Sequence, residues 1–124
     1  MTHQNNLTLV DEIEVAAEAA ISELFKTHNE SFYYCSLITD GEAHAPILIA
    51  WSKESLAKYE NDPIKFQYLK WSYADSPYFD YGAQYFARVK EMFELRPQLN
   101  SQMTEGEWST EFDARLAAME LAMK

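Results

Sequence analysis

Cysteine is almost missing. Cys35 is the only one in 124 residues, and a single thiol cannot build an internal disulfide framework. Glycine and proline are scarce as well, at three and four residues, which excludes a loop-dominated or low-complexity chain. No apolar run approaches the roughly 20 residues needed to span a bilayer. The stretch from Met1 to Leu7 is polar and has no apolar run behind a basic segment, so the sequence predicts no signal peptide and a cytoplasmic protein. Basic residues are outnumbered two to one, ten Lys and Arg against 20 Asp and Glu, for a formal charge of −10. Such a chain is repelled by nucleic-acid phosphates and by anionic membrane surfaces, so neither is an expected partner. The same field steers a basic protein toward it.

Apolar residues are plentiful. They make up 48% of the chain, and 15% is aromatic, enough to offset chain entropy in one core and too little chain for two. From Leu9 to His28, Ile13, Ala17, Ala20, Ile21 and Leu24 recur at helical spacing on one face. Glu12, Glu14, Glu18 and Glu23 lie away from that face. Thr8 followed by Asp11 resembles a capping box at the start of this helix, and Lys26 and His28 suit its end. After Asn29 the period drops to two: Phe32 to Thr39 reads as a strand, Asp40-Gly41 as a turn, and Ile47 to Trp51 as a second, largely buried strand.

Ser52 is placed to cap a short helix over Lys53 to Glu60, which Asn61-Asp62-Pro63 ends. Ile64 to Trp71 fits either a third strand or a short helix, and Asp75-Ser76-Pro77 reads as a turn or irregular loop. Asp80 to Leu95 is expected to be helical, with Tyr85, Phe86, Val89, Met92 and Phe93 on one face. A last helix is expected from Thr110 to Met123, with Phe112, Leu116, Met119 and Met123 as its stripe. No internal repeat or dividing linker is present. The predicted fold is a single α+β domain over residues 1–124, with several helices packed on a small antiparallel sheet.

The chemical inventory is thin. His3, His28 and His44 are far apart and not at ligand spacing from one another or from Cys35, so no metal site is expected. There is no Gly-rich phosphate loop and no nucleophile elbow, and no cofactor is predicted. Cys35 with His44 is the one thiol–base pair on paper, but a cysteine in an apolar strand is usually a small buried hydrophobe. Asp75 and Asp80 could be a carboxylate pair; with 20 acidic residues in the chain, such proximity is expected by chance. No catalytic residue is therefore assigned.

Two features suggest binding. The run Phe66, Tyr68, Trp71, Tyr73, Tyr78, Phe79, Tyr81 is the densest in rings, and beside Asp75 and Asp80 it could anchor an interface. The expectation is that most of these rings belong to the core and one or two are exposed. The outer face of the first helix is the other feature: Glu14 and Glu18 are like charges at i, i+4, which costs helix stability slightly. Glu105, Glu107, Glu111 and Asp113 form a smaller acidic cluster near the last helix. Each is either a solvated face or a docking face for a basic protein.

Several of these residues together resemble a bacterial family of uncharacterised small α+β proteins. They are the strand Phe32 to Thr39 followed by Asp40-Gly41, the helix start Ser52, Glu54, Leu56, and the segment Trp71-Ser72-Tyr73-Ala74-Asp75. The resemblance covers about residues 10 to 95 and brings no catalytic residues. It implies a protein similar in size and setting to immunity proteins of toxin systems. The expectation is a non-catalytic binding protein whose partner is a basic protein such as a toxin domain, with Glu14, Glu18, Trp71, Asp75, Tyr78 and Asp80 as contact residues. The competing classes are a small-ligand binder or enzyme using a pocket beside the aromatic segment, and an assembly subunit pairing through its last helix.

Overall fold

The computed structural model describes residues 2–100 and 102–123, residues 2–7 in their backbone alone. The chain order is α1 (Thr2–Thr27), β1 (Phe32–Ile38), β2 (Ile47–Ser52), α2 (Lys53–Ala57), α3 (Pro63–Leu69), β3 (Tyr78–Phe79), α4 (Ala87–Leu95) and α5 (Glu105–Ala122), with a 3-10 turn (Ala83–Phe86) leading into α4. The strands form one antiparallel sheet in the order β1-β2-β3. The α+β class is as the sequence indicates.

β2 is central and buried almost throughout, and the alternation of its side chains divides the core in two. Leu48 faces a helical layer and packs with Leu9, Ile13 and Ala17 of α1, Phe86, Val89 and Phe93 at and within α4, and Ala118 of α5. Trp51, three residues on and so on the opposite face, packs with Leu56 and Leu69, against which Tyr33, Tyr34 and Phe66 lie. The sheet therefore separates α1, α4 and α5 from α2 and α3.

Several expectations need correction. Thr8 does not cap α1, which extends back to Thr2. Leu9 is fully buried one turn before Ile13, so packing requires the helix to be formed already at that point. Of the two alternatives for Ile64 to Trp71 the helix is the one formed, as α3 (Pro63–Leu69), capped by Asp62, whose carboxylate accepts from the Lys65 N–H at 3.1 Å, with Pro63 in its first turn. The third strand lies instead at Tyr78–Phe79, paired with Ala50 and Ile49.

The helix expected from Asp80 starts as α-helix only at Ala87, because Asp80 and Gly82 have φ of 53° and 70°, the left-handed region that a right-handed helix cannot contain. Gly82 is required on steric grounds too, since a Cβ there would lie 2.6 Å from the Ala20 Cβ of α1.

α5 begins more than a turn earlier than expected. Thr104 Oγ1 accepts from the Glu107 N–H and the Glu107 carboxylate accepts from the Thr104 N–H, a complete capping box. Its buried face is also rotated from the expected stripe: Glu111, Arg115, Ala118, Met119 and Ala122 are buried, while Leu116 and Met123 are exposed. Ala118 and Ala122 of α5 share one core cluster with Ala16, Ala17 and Ala20 of α1, and small side chains let two helices approach closely.

Candidate functional site

The chemistry-bearing side chains fall into separate places. On α1, a 3.6-residue repeat puts Asp11, Glu14, Val15, Glu18, Ser22 and Phe25 on one outward stripe, and all six are exposed. Asp11, Glu14 and Glu18 have no ion pair and no side-chain hydrogen bond among the described residues. Val15 and Phe25 stand among them at 64% and 54% exposure. Phe25 is not loose: it stacks on Phe32 of β1 with ring centroids 5.4 Å apart. Glu23, by contrast, is occupied, accepting from Gln84 Nε2 at 3.4 Å.

Where α1 hands the chain to β1, Glu30 collects three hydroxyl donors. Ser52 Oγ donates to its carboxylate at 2.5 Å, Ser55 Oγ at 3.3 Å, and the Tyr78 hydroxyl donates to its other oxygen. His28 Nδ1 lies 3.9 Å away. The hydrogen bonds from Ser52 and Tyr78 hold Glu30 below the usual carboxylate pKa. Burial, followed by the bond to Glu30, pushes the Tyr78 phenol up to about 12. The His28, Phe32 and Tyr81 rings surround Tyr78 at centroid distances of 5.0, 5.4 and 5.9 Å. Ser52 also caps α2 by accepting from the Ser55 N–H at 3.0 Å. This node ties the α1–β1 connection, β2, α2 and β3 together, so Tyr78 is a positioning residue with its hydroxyl committed.

Trp71 and Asp75 lie on the α2–α3 side of the sheet. A bulge between Phe32 and Tyr34 leaves Tyr33 and Tyr34 both against the edge of Trp71, at 5.4 and 5.6 Å. The loop is pinned from below: Trp51 Nε1 donates to Ser72 O at 2.6 Å, and Tyr33 Oη donates to Lys70 O at 2.6 Å. Ser72 Oγ donates to the Asp75 carboxylate at 2.6 Å, closing the turn. The aromatic run is not mostly core. Tyr68, Trp71, Tyr73 and Phe79 are 71%, 58%, 55% and 52% exposed, and Phe66, Tyr78 and Tyr81 are half-buried. The core on this side already holds Trp51, Leu56 and Leu69, which leaves the later rings on its surface.

Asp80 is exposed and lines a groove of about 440 Å³ between the start of β2 and α4, floored by Pro46, Phe86 and Phe93. Glu111 is not part of an exposed acidic cluster. It is buried, accepting from Arg96 Nε and Nη2 at 2.7 and 2.9 Å and from Arg115 Nε at 2.7 Å. Burial acts to raise its pKa, but the bonds from the two guanidiniums outweigh it, so Glu111 sits below the usual range. Arg115 continues to the carbonyls of Ala43 and Pro97, fastening two loops to α5.

The six residues singled out from sequence are thus not one site. Glu14 and Glu18 share the α1 face, Trp71 and Asp75 share the opposite side of the sheet, Tyr78 is held by Glu30, and Asp80 borders a groove. Glu30, Val15 and Phe25 were missed. Helical spacing places Val15 and Phe25 on the Glu18 stripe, a signal available in the sequence; nothing local marks Glu30, whose donors lie 22 to 48 residues away.

Among the described residues no group of three or more His, Cys, Asp or Glu could hold a metal ion; the side chain of His3 lies outside the described residues. His44 Nδ1 pairs with Asp40 Oδ2 at 2.5 Å, and burial pushes the Cys35 thiol up, which disfavours the thiolate a nucleophile needs. No described helix is long and apolar enough to cross a membrane.

A family model, Domain of unknown function (DUF4303), matches residues 13–124. The chain belongs to the DUF4303 family. The match takes in α1 from its first buried isoleucine through α5, so every surface described above from Ile13 onward lies within the DUF4303 domain. No curated protein and no solved structure matches the chain significantly.

Proposed function

We propose that this domain binds a basic protein through the outer face of α1 and acts by occluding it. The observation that carries this reading is the stripe of unpaired carboxylates, Asp11, Glu14 and Glu18, set beside two exposed apolar side chains, Val15 and Phe25. Charged groups without partners supply steering and register, and the apolar pair supplies area that is worth burying. Like charges at i, i+4 weaken α1, so Glu14 and Glu18 stand on this face against the helix's own interest. Glu14 and Glu18 are the contact residues; Tyr78 acts behind the surface, and Asp75 and Asp80 lie outside this interface. A toxin domain is the partner that the resemblance to immunity proteins suggests, bound in the cytoplasm of a bacterium.

The test is affinity capture from lysate of the source cell at low salt, with the products of adjacent genes co-expressed. The reading expects one basic protein, retained in stoichiometric amount and released as salt rises, because surface charge pairs are screened within about 8–10 Å at physiological ionic strength. Capture of nothing by the folded protein, or of a partner indifferent to salt, contradicts it.

A further inference from the structure

The segment that forms α2 and α3 is net positive, by one charge, in an acidic chain. Residues 53–70 contain Lys53, Lys58, Lys65 and Lys70 against Glu54, Glu60 and Asp62, four against three, in a chain of net charge −10. Two of those acids are spent locally: Glu54 accepts from the Ser31 N–H at 2.9 and 2.8 Å, and Asp62 caps α3. A groove of about 500 Å³ runs between α2 and α3. Leu56, Ala57, Phe66, Tyr33 and Trp71 form its apolar surface, with Lys53 and Lys70 beside them and Glu60 as the one acid. The Lys70 ammonium lies 5.8 Å from the centre of the Trp71 ring, leaving positive charge at the groove's aromatic wall. Ile64 and Tyr68, 85% and 71% exposed, lie on the other face of α3 from Phe66 and Leu69 and are not part of the groove. An apolar groove flanked by two lysines complements an apolar side chain that has carboxylates beside it.

We propose that this groove is a second binding site, independent of the α1 face, for an acidic polypeptide segment. A bulky apolar side chain of the segment seats between Leu56, Phe66 and Trp71, and flanking carboxylates pair with Lys53 and Lys70. A basic segment is disfavoured here by the same two lysines, so the two faces of the sheet select partners of opposite charge.

The experiment is a titration of the isotope-labelled protein, followed by backbone amide shifts, with a blocked peptide carrying a central tryptophan flanked by aspartates. Serine-flanked and lysine-flanked peptides of the same length serve as comparisons. The acidic peptide is expected to shift amides of α2, α3 and residues 70–72, and to bind roughly ten-fold more tightly than the lysine-flanked one. The double variant K53E/K70E, whose fold is checked by its unperturbed amides elsewhere, is expected to lose that preference. Absence of shifts at the groove up to millimolar peptide, equal binding of all three peptides, or an unchanged preference in K53E/K70E overturns the proposal. None of these outcomes bears on α1, so failure here and failure of the basic-partner reading are separable.

Discussion

At the scale of single residues, two carboxylates, the buried Glu111 and the half-buried Glu30, each gather several donors. Glu111 is shared by Arg96 and Arg115, and removing its charge leaves two guanidiniums buried without a counter-ion. Glu111→Gln is expected to cost about 3–5 kcal/mol in urea unfolding; a loss below about 1 kcal/mol would show the triad to be no better than a surface pair. Tyr78→Phe removes one donor from Glu30 and is expected to cost about 1–2 kcal/mol. Both carboxylates have folded pKa values below their unfolded ones. Their contribution is therefore complete above the unfolded carboxylate pKa and is lost as pH falls through the lowered folded values. Tyr78 runs the other way: its phenol is raised to about 12, so its contribution is complete below the unfolded tyrosine pKa, near 10, and disappears as pH rises through 12. An alkaline spectrophotometric titration is expected to lose the tyrosine that ionises near 12 in Tyr78→Phe, while Tyr33 and Tyr85, which are also raised, still ionise late.

At the scale of elements, what was legible in the sequence followed from periodicity, and what was not followed from contacts. α1, β1, β2 and the Ser52 cap were readable because Ile13, Ala17, Ala20 and Leu24 repeat at helical spacing and Phe32 to Thr39 is dense in β-forming residues. The start of α4 was not, since the left-handed turn at Asp80 and Gly82 depends on a close pass over Ala20 in α1. Gly82→Ala is expected to destabilise by more than the roughly 1 kcal/mol of an ordinary left-handed strain, because the new Cβ also meets Ala20; a melting curve like that of the wild type would contradict this. The start of α5 was legible, in Thr104 followed by Glu107, and was missed because the apolar repeat begins later. Thr104→Ala is expected to cost about 1 kcal/mol. The face of α5 differs for a physical reason: its buried side combines Ala118, Met119 and Ala122 with the charged Glu111 and Arg115, while Leu116 and Met123 remain at the surface.

At the scale of the whole molecule, the sheet separates two unlike exteriors. One is the acidic outer face of α1, with Val15 and Phe25. The other is the aromatic, lysine-bearing surface of α2, α3 and the Trp71 loop. Sequence alone could list Glu14, Glu18, Trp71 and Asp75 but not assign them to opposite sides, because that division rests on which face of β2 each layer covers. The division also makes the central claim testable without changing the core, since Glu14, Glu18 and Lys53 are exposed and Lys70 lies at the groove's surface. The decisive measurement is side-by-side capture of the basic partner at low salt by the wild type, by E14K/E18K and by K53E/K70E. The account predicts retention by the wild type and K53E/K70E and loss from E14K/E18K; equal retention by E14K/E18K would contradict it.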